Sequence, residues 1–138
     1  MSQIPEHCHW VARRAECTTR QMFRRLADIV RADVDAANAL QQPSTEYQFE
    51  EVTSTKFLVT RRVTHGFVAT GSVRFEIFGA EIIATRIQAT DDQRELLRTR
   101  ARLDEAGRCM FRVGGDDRYA WEVSRRALEG LIFEAPDA

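Results

Sequence analysis

Apolar residues follow two different rhythms along this chain. In the first third, Met22, Phe23, Leu26, Ile29, Val30, Val34, Ala37 and Leu40 recur at steps of three and four. That spacing lines one face of a helix about six turns long, which we place at 18–42. Thr18 followed by Gln21 fits a capping box, with Cys17 and Met22 where a hydrophobic staple would sit, and Pro43 ends the pattern. The charges oppose the macrodipole: Arg20, Arg24 and Arg25 crowd the start, Asp33 and Asp35 the end. The preceding segment, 1–17, reads either as a short helix over 6–15 anchored by Trp10 and Val11 or as a continuation into the main helix.

Beyond Pro43 the period changes to two. Val73, Phe75 and Ile77 alternate with Arg74 and Glu76; Leu97, Thr99, Ala101 and Leu103 with Arg98, Arg100 and Arg102; Cys109, Phe111 and Val113 with Arg108, Met110 and Arg112. Such alternation marks half-buried strands with one apolar and one arginine-rich face. We place strands at 47–52, 57–64, 72–78, 81–89, 96–104, 108–113 and 119–124. Gly79-Ala80 suits a two-residue hairpin that pairs Ile77 with Ile82.

The next turn fixes a register. A four-residue loop after Leu103 would bring Arg102 beside Cys109 and mix the faces. A three-residue loop, Glu105-Ala106-Gly107 with a left-handed glycine, pairs Leu103 with Cys109, Ala101 with Phe111 and Thr99 with Val113. A loop over 114–118 would then set Phe111 against Trp121 and Cys109 against Val123. Leu128, Leu131 and Ile132 have helical spacing, so 125–133 reads as a short terminal helix capped by Ser124 and weakened by Gly130.

These elements predict an α+β single domain over 1–138. A long N-terminal helix packs on a curved, antiparallel meander sheet of six to seven strands spanning 47–124, followed by a short C-terminal helix. Strand 81–89 is apolar on both sides, with Ile82 and Ala84 on one and Ile83 and Ile87 on the other. Phe78 also faces outward. One helix covers one sheet face, so the second patch needs a cover: the Trp10 segment, the Phe133 helix or a second copy of the chain.

Composition narrows the function classes. The formal charge is -1 over 138 residues, which argues against a surface built wholly for nucleic acid. The balance is uneven, with residues 1–31 and 96–126 each at +3 and residues 33–56 at -4. Nineteen of the twenty basic residues are arginine, which favours bidentate anion recognition. With seventeen alanines, the same bias is also what a GC-rich bacterial genome produces. Cys8, Cys17 and Cys109 cannot all pair within one chain and read as free thiols of a reducing, cytoplasmic compartment. The first residues lack the basic start and apolar run of a secretory signal. No apolar stretch approaches bilayer length, so no membrane is implied.

Candidate chemistry is thin. Arg98, Arg100, Arg102 and Arg112 form a candidate anion-binding face, with Arg100 opposite Arg112 and Glu122 placed to compensate. That face offers a phosphate-backbone platform but, on the last strands, no aromatic residues for stacking bases. His7-Cys8-His9 with Cys17 are good zinc ligands at poor spacing. His65 is the sole histidine outside the N-terminus and serves Cys109 or a serine only if the fold brings them together. The acids at 91–92, 104–105 and 116–117 fall in turns, where aspartate favours turn geometry, and Gly114-Gly115 reads as a hairpin loop. No catalytic residue, metal site or cofactor is expected. The sequence therefore points to a non-enzymatic binding or protein-interaction module, homodimeric through Phe78, Ile83 and Ile87. A partner protein is the other occupant of that patch. The alternatives are nucleic-acid or polyanion binding by the arginine face, and a small-molecule pocket between helix and sheet.

Overall fold

A computed structural model of the protein describes residues 9–40, 44–63 and 68–133. Helix α1 (Trp10–Glu16) leads into the long helix α2 (Thr19–Ala39). Seven strands follow: β1 (Thr45–Thr53), β2 (Lys56–Val63), β3 (Val68–Phe78), β4 (Glu81–Gln88), β5 (Gln93–Leu103), β6 (Cys109–Val113) and β7 (Asp116–Arg118). Helix α3 (Ala120–Phe133) comes last. Every strand pairs antiparallel with its chain neighbour, giving an unclosed meander in the order β1 to β7. The expected α+β architecture is the one found.

Local chemistry explains the elements. The Thr18 hydroxyl caps α2 by accepting from the Gln21 amide at 3.2 Å. The face of α2 that the spacing picks out is buried at Met22, Phe23, Leu26, Val30, Val34 and Ala37, whereas Leu40 ends exposed. The predicted registers hold: Ile77 faces Ile82 across Gly79-Ala80, and Leu103 faces Cys109 across a loop in which Gly107 is left-handed at φ 81°.

Both long helices lie on one face of the sheet. There Phe57 stacks on Phe75 with centroids 4.6 Å apart, and Phe23 from α2 meets Phe57 at 4.9 Å. Such ring pairs contribute about 0.5–1.5 kcal/mol each beyond simple area burial. Leu26, Val30, Val59, Val73, Ile82, Val123 and Leu131 complete a core with no exposed surface.

The C-terminal region corrects the sequence reading. No strand runs over 119–124. The chain turns at Gly114-Gly115 alone, with Gly114 at φ 61°, and pairs Val113 with Asp116 and Phe111 with Arg118 rather than with Trp121. Helix α3 then starts at Ala120. Glu122 in its first turn accepts from the Tyr119 amide at 3.0 Å, the reaching-back half of a capping box. Val123, Ser124, Ala127, Leu128, Leu131 and Ile132 are the buried stripe. Tyr119, Trp121 and Val123 alternate like a strand, yet the helical stripe already includes Val123 and Ser124.

The far end of α3 is tied down by the sheet. Its late carbonyls lack helical partners, and two of them are met by side chains. Arg61 Nη1 donates to the Leu131 carbonyl at 2.8 Å and the Tyr47 hydroxyl to that of Ile132 at 3.1 Å. Arg61 occupies the inner-face position after Phe57 and Val59 and is only 5% exposed. A cation there also suits the negative end of the helix dipole. Asn38 fixes the end of α2 to β1, donating to the Tyr47 carbonyl at 2.8 Å and accepting from its amide at 2.9 Å.

Two further expectations are overturned. Cys17 and Cys109 are not free thiols but a disulfide, with Cα atoms 5.4 Å apart across 92 residues of sequence. Cys109 does turn inward as alternation requires, but it sits at the sheet end where the α1–α2 corner brings Cys17 against it. Trp10 and Val11 do not anchor the N-terminal segment: both are 63% exposed, and α1 buries no residue. Among the described residues no helix is long and apolar enough to cross a membrane.

Candidate binding surfaces

The sheet face opposite the helices carries the candidate residues. Ile83 and Ile87 point outward from β4 and are partly buried, whereas Phe78 at the tip of β3 is half exposed. Among the described residues neither anticipated internal cover reaches them. Helix α3 packs on the inner face beside α2, and Trp10 and Phe133 are themselves exposed. What borders these isoleucines is a lattice of ion pairs. Arg74 meets Glu76 at 3.5 Å, and Arg98 holds Glu95 at 2.6 Å and Glu81 at 3.4 Å. The hydrogen bond from Arg98 keeps the Glu95 carboxyl below its usual range. A solvated face fits this pattern, with arginine stems shielding the isoleucines.

The four candidate arginines divide. Arg98 is spent on Glu95 and Glu81. Arg100 and Arg112 face each other across β5 and β6, as the register requires. Glu122 does not compensate them; it lies on α3 and pairs with Arg118 at 3.3 Å. Asp117 takes that role from β7, directly opposite Arg112, reaching Arg112 at 3.2 Å and Arg102 at 3.8 Å. Arg100, Arg102 and Arg112 together line a cavity of about 750 Å³, joined by Arg14 from α1. Arg14 carried no signal in sequence, because it is brought there by contacts between distant segments: the Cys17–Cys109 bond and the hydrogen bonds of Arg13 to the Gly107 carbonyl and Thr19 to that of Ala80.

The turn acids behave as turn residues. Asp104 accepts from the Ala106 and Arg108 amides at 2.9 and 2.8 Å and from Arg108 Nε at 2.8 Å. Burial alone would raise its carboxyl, but these bonds outweigh burial and hold it below the ordinary value. Asp91 sits at φ 68°, a conformation its side chain tolerates. His7, Cys8 and His65 lie outside the described residues, and Cys17 is committed to its disulfide. Among the described residues no three His, Cys, Asp or Glu side chains converge as a metal site would need.

A surface that sequence reasoning missed lies on the helical layer. Helices α2 and α3 run side by side, joined by the Ser124 hydroxyl, which donates to Asp33 Oδ2 at 2.6 Å. Between them, on the side away from the sheet, is a cavity of about 400 Å³ bordered chiefly by Leu40, Trp121, Leu128, Ile132 and Phe133. It lies between two helices, not between helix and sheet. Leu40, Trp121 and Phe133 are 56, 56 and 68% exposed. The available signal was Trp121, an aromatic residue one step off the buried stripe of α3. Arg125 and Glu129 pair at its rim at 3.2 Å. No family model, no curated protein and no solved structure matches the chain.

Proposed function

We propose that the protein is a non-enzymatic interaction module that pairs with a second copy of itself through the α2–α3 groove. One observation carries this reading: three of its most exposed apolar side chains, Leu40, Trp121 and Phe133, ring one apolar cavity. Knobs and a hole on the same patch are what a two-fold interface requires, because each copy then fills the other. The rim supports the same occupant, since Arg125 and Glu129 on one copy can exchange partners with those on the other. The outer sheet face is a weaker candidate, because mating it would desolvate the Arg74–Glu76 and Arg98–Glu81 pairs around Ile83.

The Cys17–Cys109 bond fits an oxidising setting better than the cytoplasm that unpaired thiols implied. Native mass spectrometry over a concentration series tests the pairing. A dimer is expected, converted to monomer by Trp121→Ala with Phe133→Ser and retained by Ile83→Thr. A monomer at every concentration, or a dimer lost in Ile83→Thr and kept in the groove variant, overturns the proposal.

A further inference from the structure

The arginine cavity poses a separate problem. Arg14, Arg100, Arg102 and Arg112 line it together with Cys17 and Thr19, and among the described residues no acidic side chain does. The nearest compensating groups are already engaged. Asp117 is shared between Arg112 and Arg102. Glu81 lies across from Arg100 on the neighbouring strand, but its carboxylate meets Arg98 at 3.4 Å. Among the described residues Arg14 reaches a carbonyl, that of Cys17 at 3.1 Å. The adjoining cavity makes the contrast plain: it shares Arg102 and Arg112 but balances its arginines with Asp104, Glu105 and Asp117.

Four guanidiniums around one space with a single shared carboxylate repel one another, and Arg100 directly opposite Arg112 adds a cross-strand penalty. The disulfide holds the α1–α2 corner against β6 and so holds Arg14 in that company. The N-terminus of the 21-residue α2, at Thr18 and Thr19, also borders the cavity and adds to its positive field.

We infer that this cavity is a binding site for a phosphate-bearing small molecule carrying at least two negative charges. Guanidinium forks match phosphate oxygens two at a time, which a single chloride could not exploit. At about 750 Å³ the space suits a compact ligand rather than an extended strand. The site stands independently of the pairing proposed above, since it shares no residue with the α2–α3 groove.

Arg100→Gln separates a site from a solvated cluster, because its two effects have opposite signs. It removes a like-charge pair, so the apo protein is expected to melt at the same or a higher temperature. It also removes a charge-assisted contact, so pyrophosphate titrated by calorimetry at low salt is expected to bind at least about tenfold more weakly. Arg94→Gln removes an exposed arginine that does not line the cavity and is expected to leave the affinity within about twofold. Affinity of the unaltered protein for pyrophosphate should weaken as salt concentration rises. No binding of millimolar pyrophosphate to the unaltered protein overturns the inference. So does equal weakening by Arg94→Gln, or tight binding of a single-stranded oligonucleotide with pyrophosphate refused.

Discussion

The Cys17–Cys109 bond makes a quantitative demand on stability. It closes a loop with 92 residues of separation, and the loop-closure relation assigns about 4.6 kcal/mol to such a cross-link, acting on the unfolded chain. For 138 residues the unfolding entropy near the midpoint is about 0.29 kcal/mol per kelvin, so losing the bond corresponds to roughly 15 °C. Residual structure in the unfolded chain trims this, and a fall of about 10–15 °C is the expected outcome of reduction. The assay is thermal unfolding by circular dichroism with and without reductant, alongside urea titration. The urea slope should rise on reduction, because an uncrosslinked chain exposes more surface when it unfolds. Cys109→Ala should reproduce the reduced protein and respond no further to reductant. Thiol labelling of the denatured, unreduced protein should find one reactive cysteine. Three reactive cysteines, or melting temperatures that agree within about 2 °C, would refute the reasoning.

Other perturbations probe how the sheet holds α3. Arg61→Met keeps most of the volume but strips the Leu131 carbonyl and Thr70 Oγ1 of their donor, at 2.8 Å in each case. Urea unfolding should show a loss of about 2–3 kcal/mol, and an unchanged midpoint would deny the cap. Tyr47→Phe loses one bond to Ile132 and should cost about 1 kcal/mol. Burial raises the Tyr47 hydroxyl above its ordinary value, with the Arg61 charge opposing. Folding therefore favours the neutral phenol: the contribution is full below about pH 10 and is lost as pH rises through the higher folded value. Alkaline titration of phenolate absorbance, with Tyr47→Phe as control, checks the direction. Gly71→Ala should cost about 1–3 kcal/mol through backbone strain, since Gly71 lies at φ 148°. Steric conflict is not the cause, as an added Cβ would meet Arg86 Nη2 at an ordinary 3.5 Å.

Period and turn chemistry made most of the fold legible. Thr18 and the Met22–Ala37 stripe located α2, and the glycines at 79 and 107 fixed two hairpin registers to the residue. The start of α3 was obscured because Tyr119, Trp121 and Val123 satisfy a two-residue period, while the Glu122 cap acts through a backbone amide. Arg61 falls in phase with the inward Phe57 and Val59, and the helix terminus it meets makes a cation favourable at that inner position. The disulfide joins residues that no local pattern relates. The site was half legible for the same reason. Strand alternation brought Arg100, Arg102 and Arg112 onto one face, but Arg14 and the α2–α3 groove depend on contacts between distant segments.

The unclosed meander also bears on how the molecule avoids the wrong assembly. An open sheet ends in two border strands, β1 and β7, and such borders can recruit foreign strands; on β1 Asn38 already engages the amide and carbonyl of Tyr47. On β1 the charges of Glu46, Glu50 and Glu51 line the exposed border, and its pairing with β2 breaks register between Glu51 and Thr53. The β7 border is three residues long and carries Asp116, Asp117 and Arg118 before the chain leaves as a helix. Growth by strand addition would have to desolvate these charges at either margin. Charge at both margins thus opposes use of the sheet as a template for further strands.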